Sequence, residues 1–387
     1  MSGRVANTVT IGGFAHVGSA GVGGDFPVLI QTMWKDRLSL ADTKGEAGAA
    51  LAGRIEGLGR MGCGLLRFAV PDLEAAETLG HLASLVSMPL VADIHFDYKI
   101  ALRCMDFPIA KIRVNPGNIG GRERVRPVLE KAAAKGIPIR VGVNAGSLPP
   151  DLRRRVDTAE ALAEAAEREL AVFEEFGFDK ILVSMKASGI ADTVKANRIL
   201  AERTSVPLHI GVTEAGPLVA GVARSAVALA ALLAEGIGDT LRVSLSDTME
   251  NEVIAAREIL AAAAEMTALP ALQPFDFVAA EHVEAQGQAD RFKRPGVTIV
   301  SCPRCGRYGF DTHGFTARWM PALYALDRDI SVAVMGCAVN GPEEAKHADL
   351  GITGAGDKVL IFRHGKVIRT INAAEADSAF REALEKL

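Results

Sequence analysis

The chain has 387 residues, 49% of them hydrophobic, and a formal net charge of -4, enough apolar content for one large core and a smaller second one. This balance provides neither the basic footprint that nucleic acid needs nor a polybasic run for a membrane surface. The first ten residues lack a continuous apolar run and no stretch is long and apolar enough to span a bilayer, so a cytoplasmic protein is expected.

The chain opens on a Gly-rich segment, Gly18 to Gly24, without the trailing Gly-Lys-Ser/Thr of a phosphate loop, which predicts a flexible hairpin or arm. From about residue 28 to 245 one phrase repeats: a short β-branched run, a polar or Gly-rich turn, then an Ala/Leu/Glu-rich helical stretch. The runs are Val28 to Thr32, Leu65 to Ala69, Leu90 to Ile94, Lys111 to Asn115, Ile139 to Val143, Ile181 to Met185, Leu208 to Val212 and Leu241 to Leu245. Helices are predicted between them, at Asp72 to Val86, Arg122 to Lys135, Thr158 to Phe176 and Val222 to Glu235. Eight β/α units of this length predict a closed TIM-like (β/α)8 barrel over residues 1–268. A doubly wound open sheet is the second choice, but its Gly-x-Gly-x-x-Gly turn is absent.

One more helix is predicted from Asn251 to Met266, followed by a polar, irregular linker over 269–294. From 295 to 387 the pattern becomes that of a small α+β domain. Strands are predicted at Val297 to Val300 and Ile330 to Val334, a helix near Thr316 to Ala325, a hairpin at His364 and Gly365, and a last helix from Ala373. Cys302 and Cys305 form a Cys-x-x-Cys turn after the first of these strands, and Cys337 follows the second. Three soft sulfur ligands could thus converge at one sheet edge. An iron–sulfur cluster, a structural zinc completed by His313 or His347, and a redox dithiol all remain open on spacing alone. Glu344, seven residues past Cys337, is an oxygen donor for the fourth corner of a cluster. Cys63 and Cys104 lie in apolar surroundings and read as buried structural thiols.

The interior of such a barrel is ordinarily apolar, with the active site at the C-terminal ends of its strands. Here those ends carry charge. Strand alternation pairs Asp93 with His95, Arg113 with Asn115, Ser184 with Lys186 and Arg242 with Ser244. Arg67, Arg140, Asn144, Thr213 and Glu214 extend the ring. Five cations (Arg67, Arg113, Arg140, Lys186 and Arg242) would converge on one mouth, with Asp93 and Glu214 as inner carboxylates. Salt bridges closing the barrel top are the plain alternative; a pocket for a small polyanion is the functional one, and a diphosphate or bisphosphate is the substrate class. His209, inside an apolar strand, reads as a satisfied core histidine.

The phrases beginning Leu90-Val-Ala-Asp, Arg113-Val-Asn-Pro-Gly, Arg140-Val-Gly-Val-Asn, Gly236-Ile-Gly-Asp and Gly336-Cys-Ala-Val-Asn-Gly-Pro together resemble the bacterial 4-hydroxy-3-methylbut-2-enyl diphosphate synthases of the methylerythritol phosphate pathway. The resemblance runs from about residue 9 to the end. It implies reductive ring opening of 2-C-methyl-D-erythritol 2,4-cyclodiphosphate, with two electrons delivered through a [4Fe–4S] cluster. It further implies Cys302, Cys305, Cys337 and Glu344 as cluster ligands. Arg67, Asp93, Arg113, Asn115, Arg140, Asn144, Lys186, Thr213, Glu214, Arg242 and Ser244 match substrate-binding positions, and Asn340 matches a substrate-contacting residue beside the cluster. Among these, Glu214 is a candidate proton donor. Flavodoxin or ferredoxin is the implied electron donor, and a homodimer with shared active sites the implied assembly. The chain departs from the family at Glu343, which stands where a Gly is usual and places two carboxylates side by side. The segment from about 269 to 293 is also long for the family. Two competing classes remain: a non-redox barrel enzyme on a phosphorylated substrate with a zinc-stabilised appendage, and a non-catalytic metal carrier that would have no use for five convergent cations.

Overall fold

The computed structural model describes residues 5–12, 20–95, 97–114, 120–267, 297–302, 308–324, 326, 328–338 and 341–387. A hairpin of β1 (Val9–Ile11) and β2 (Ala20–Val22) comes first, paired antiparallel. The repeating units follow: β3 (Leu29–Met33), α1 (Gly45–Arg60), β4 (Cys63–Ala69), α2 (Leu73–Ala83), β5 (Leu90–Asp93), α3 (Tyr98–Cys104), β6 (Lys111–Val114), α4 (Arg122–Lys135), β7 (Ile139–Asn144), α5 (Thr158–Glu175), β8 (Ile181–Lys186), α6 (Ile190–Arg203), β9 (His209–Ile210), α7 (Leu218–Ala234), β10 (Thr240–Leu241) and α8 (Met249–Thr267).

The eight strands from β3 to β10 form one parallel sheet in the order β8-β7-β6-β5-β4-β3-β10-β9, and a bridge from Val183 to Leu208 joins its ends. This is the expected barrel, and the open-sheet alternative falls away. Period-two alternation builds it. Leu66 and Phe68 on β4, Ile112 and Val114 on β6, and Ile181, Val183 and Met185 on β8 pack in the same core as the helix residues Ile55, Leu58, Leu79 and Leu82. The alternate positions, among them Arg67, Arg113 and Lys186, face the barrel axis.

The expected N-terminal hairpin is present, but its described strands are packed against the barrel and are not a free arm. Val9, Ile11 and Val22 form one buried cluster with Leu65, Val91 and Leu182, which are the inward apolar residues at the bottom of β4, β5 and β8. These side chains plug the barrel floor because nothing else in the barrel buries them. Local chemistry also moves some helix ends. Asp72 caps α2, its side chain accepting from the Ala75 amide at 2.8 Å, so it precedes the helix that the sequence starts with it. α7 starts directly after Pro217 rather than at Val222. β9 and β10 keep only two ladder residues each, and the chain beyond them runs on toward the mouth.

The C-terminal part has β11 (Val297–Ser301), α9 (Thr312–Tyr324), β12 (Ile330–Met335), α10 (Gly341–Glu344), β13 (Leu350–Ala355), β14 (Lys358–Arg363), β15 (Lys366–Asn372) and α11 (Ala376–Glu385). Its sheet runs in that strand order, parallel through β13 and antiparallel afterwards. Phe315 and Trp319 of α9 pack on Phe380 of α11, with ring centroids 5.1 and 4.9 Å apart, as expected for edge-on aromatic contacts. α9 starts four residues earlier than Thr316, and the Asp311 side chain accepts from the Gly314 amide at 3.2 Å in its first turn.

This domain sits over the barrel mouth of the same chain. Ala215, just past β9, bridges to Ser301 at the end of β11. Ser246 bonds the Ser301 hydroxyl and donates to the Cys302 carbonyl at 2.9 Å, while His313 Nδ1 donates to the Ser246 carbonyl at 2.5 Å. Arg224 Nη1 reaches the carbonyls of both Ala215 (3.0 Å) and Ile299 (3.1 Å).

Candidate active site

The barrel mouth and the underside of the C-terminal domain enclose a cavity of about 130 Å³. Arg67, Arg113, Arg140, Lys186 and Arg242 all line it, with Asp93, Asn144, Thr213, Glu214 and Ser244 from the barrel and Cys302, Cys337 and Glu344 from the domain above. Asn115, Cys305 and Asn340 lie outside the described residues, as does the linker.

The salt-bridge alternative holds for some of these cations and fails for others. Arg113 Nη1 donates to Asp93 Oδ1 at 3.1 Å and lies 2.8 Å from His95 Nε2, and Arg67 Nε stands 3.8 Å from Asp93 Oδ2. Burial alone would raise the Asp93 carboxyl, but His95, Arg113 and Arg67 outweigh it and hold the group well below the usual carboxylate range. Asp93 is therefore an anchor for arginines and not a proton carrier.

Arg242 is held by a carboxylate missing from the sequence reading. Glu252, in the first turn of α8, accepts from Arg242 Nε and Nη2 at 3.1 Å each, from Lys35 Nζ at 2.8 Å, from Thr32 Oγ1 at 2.6 Å and from the Leu245 amide at 3.0 Å. Arg140 and Lys186, in contrast, have no carboxylate partner among the described residues; Nε and Nη1 of Arg140 are buried without any hydrogen bond. Buried cations left in this state call for an anionic ligand.

Two glycines make room for the cations. A Cβ at Gly142 would come within 2.7 Å of Arg113 Nε and Nη2, and one at Gly211 within 2.7 Å of Lys186 Nζ and 2.6 Å of the Arg242 carbonyl.

Glu214 is 4% exposed, and its carboxyl adjoins that of Glu344. Burial first, and then the adjoining Glu344 carboxylate, push its carboxyl well above the usual range. Its backbone φ of 52° is the left-handed region, an unfavourable conformation for a non-glycine residue that active sites tolerate when the surroundings impose it. Here the Ala215–Ser301 bridge and the Gly216–Leu245 bridge fix the chain on its C-terminal side.

Cys302 and Cys337 are half-buried thiols on the same wall as Glu344. Cys302 Sγ rests near Gly336, where an added Cβ would come within 3.6 Å of it. Two soft thiolate donors and a carboxylate facing one cavity fit an iron–sulfur cluster in donor chemistry. Glu343 takes no part in this wall. It is exposed and pairs with Arg153 at 3.0 Å and Lys346 at 3.3 Å. It lies in the short helix α10 and is not among the positive-φ residues, so the usual Gly is not needed for its backbone. Of the histidines considered for zinc, His313 is bonded to Ser246 in the interdomain joint and His347 is exposed. Among the described residues no group of three His, Cys, Asp or Glu is close enough to hold a metal. Cys63 and Cys104 are buried, their thiols pushed up by burial to about 11 and about 12, as structural thiols should be.

His95 and Ser184 also line the cavity. The sequence offered a signal for both, since each sits two residues from a site residue on the same strand face. For Glu252 it offered none beyond a helix N-terminus.

A closed (β/α)8 barrel whose cation-lined mouth is roofed by a small α+β domain with paired thiols defines a two-domain barrel enzyme. Residues 14–257 match the GcpE TIM-barrel domain and residues 298–386 the GcpE protein C-terminal domain. The 4-hydroxy-3-methylbut-2-en-1-yl diphosphate synthase (flavodoxin) of Treponema pallidum is 47% identical, covering 99% of this chain and 92% of that protein. The proteins of the same name from Treponema denticola (45%; 99% of each chain) and Geobacter sulfurreducens (42%; 96% of each chain) are similarly close. The chain belongs to this family of oxidoreductases.

Proposed function

We propose that this chain opens the ring of 2-C-methyl-D-erythritol 2,4-cyclodiphosphate reductively to (E)-4-hydroxy-3-methylbut-2-enyl diphosphate, in isoprenoid precursor biosynthesis. The observation that carries this reading is the meeting, in one cavity, of five mouth cations, two of them without carboxylate partners among the described residues, and two thiols with a carboxylate. Residues 1–268 would form the substrate-binding barrel, 269–294 the linker and 295–387 the cluster domain. Cys302, Cys305, Cys337 and Glu344 would hold a [4Fe–4S] cluster, which when bound supplies two electrons, drawn from flavodoxin as the names of the curated relatives indicate.

The chain's own residues do the rest. Arg140 and Lys186 offer their unpaired charge to the diphosphate, and Arg67, Arg113 and Arg242 are held in place by Asp93 and Glu252 so that little reorganisation is needed when charge develops on the opening C–O bond. Asn115, Asn144, Thr213, Ser244 and Asn340 supply neutral hydrogen bonds. Glu214, buried and facing the same space, is the proton donor to the departing hydroxyl, which leaves as water, while the ring oxygen stays on the diphosphate. Two copies exchanging C-terminal domains would rebuild the same joint between subunits, and a homodimer with shared sites is part of the proposal.

The deciding experiment is turnover of the cyclodiphosphate by anaerobically reconstituted protein with a chemical reductant, beside Cys302→Ser and Glu214→Gln. Product formation that disappears in Cys302→Ser is expected. A fully reconstituted cluster with no turnover would overturn the substrate assignment, and full turnover with unchanged binding in Glu214→Gln would remove Glu214 as the donor.

A further inference from the structure

Behind the mouth cations lies a second polar layer with no task in the reaction as set out above. Lys186 Nζ lies 3.3 Å from His209 Nε2, and His209 Nδ1 lies 2.7 Å from Thr240 Oγ1. His209, Thr240 and Lys111 are fully buried, and Lys111 Nζ has no hydrogen-bond partner among the described residues. Below them the apolar side chains of Val9, Ile11 and Val22 pack against Leu65, Val91 and Leu182 at the barrel floor. The charged groups facing it are Arg67 from β4, Asp93 from β5, Arg113 from β6, Arg140 from β7 and Arg242 beyond β10. Asp93 is already engaged by Arg113 and Arg67, and Glu252 by Arg242 and Lys35. Glu214 and Glu344 line the same cavity, but among the described residues neither Lys186 nor Lys111 forms an ion pair with a carboxylate.

Burial, followed by the Arg140 charge, pushes both lysines well below the ordinary lysine range. Burial and the same cations do likewise to His209, which stays neutral. Both shifts favour the neutral amine while no counter-charge is at hand.

We propose that a polyanion entering the mouth draws protons onto Lys186 and Lys111, with His209 and Thr240 as positioning residues that hold the Lys186 nitrogen in either protonation state. This rests on the cyclodiphosphate reading above. The step is a simple protonation: the lone pair of Nζ takes a proton from solvent, an N–H bond forms, and the new charge is balanced by the ligand. An ammonium can only donate, so His209 Nε2 then accepts and Nδ1–H donates to Thr240 Oγ1. With the neutral amine the imidazole can reverse, Nε2–H donating to Nζ and Nδ1 accepting from the threonine hydroxyl. A ring opening that releases water consumes protons, and this layer brings them in with the substrate.

The test is calorimetry of cyclodiphosphate binding to the reconstituted, unreduced holoenzyme at neutral pH, in two buffers of different ionisation enthalpy. The ligand's phosphates are already ionised there, so any proton exchanged belongs to the protein. Uptake on the order of one proton per site is expected, since each group whose pKa the ligand raises through the working pH binds up to one. In Lys111→Met the uptake should fall, and in His209→Gln, which keeps one hydrogen bond to Lys186, uptake should persist with weaker binding. Binding with the same heat in both buffers would overturn the proton coupling alone. Absence of any binding would overturn it together with the cyclodiphosphate assignment.

Discussion

Glu252 is saturated by donors from two distant parts of the chain, and its charge is correspondingly hard to remove. Burial works to raise its carboxyl, but Arg242 and Lys35 overcome this and bring it from the ordinary 4.5 down to about 2. A depressed acid contributes stability that is fully present above its unfolded pKa and is lost as pH falls through its folded one. That window runs from about 4.5 to about 2, and the contribution is roughly 3 kcal/mol. Glu252→Gln leaves Arg242 and Lys35 buried without their counter-charge, so a loss of about 3–5 kcal/mol at neutral pH is expected. Urea unfolding across acid pH would check it; a variant as acid-sensitive in this window as the parent would contradict the assignment. None of this was legible in the sequence. Thr32 and Lys35 stand 220 and 217 residues from Glu252, and a glutamate in the first turn of a helix has an ordinary local explanation in the helix dipole. The five mouth cations were legible, because alternation along short strands fixes which side each residue faces.

At the scale of elements, the strand–helix rhythm announced the barrel, since buried parallel strands and amphipathic helices leave strong periodic signals. The hairpin β1–β2 left a weak one. Its glycines suggested freedom, whereas its fate was decided by three apolar side chains finding the barrel floor. Ile11 is fully buried there. Ile11→Ala should cost about 2–4 kcal/mol by removing buried methyl groups and leaving a cavity, with the mouth residues undisturbed. Chemical denaturation beside a substrate-binding measurement checks both halves of this expectation, and a stability change under half a kcal/mol would mean the hairpin is not seated as described. The two-residue ladders of β9 and β10 were likewise hidden, because an extended chain and a paired strand share one sequence pattern.

At the scale of the molecule, the roof and the barrel meet through a largely polar joint, which includes the Ala215–Ser301 bridge, the group of Ser246, His313 and Arg224, the Arg153–Glu343 ion pair and the Arg37–Tyr308 hydrogen bond. Joints of this kind are as easily made between two copies as within one. A mixture of Cys302→Ser chains with Lys186→Met chains separates the cases. If roofs are exchanged in a homodimer, re-assembly of the two inactive proteins should restore turnover at about a quarter of the sites, those joining an intact barrel to an intact roof. Self-closure of each chain predicts no recovery, and would remove the shared-site dimer from the proposal. Sedimentation at twice the chain mass of 40.8 kDa would accompany the first outcome.

The close approach of backbone to cation at Gly142 and Gly211 bears on how this pocket can evolve. Any side chain at either position displaces Arg113 or Lys186, so no single substitution there can trim the space without also dismantling its charge. A change of preferred substrate must therefore arise elsewhere, in the loops around the rim or in the roof, where shape and charge are carried by different residues. Lineages descending from this chain should show their drift at those peripheral positions while the two bare backbone sites stay fixed.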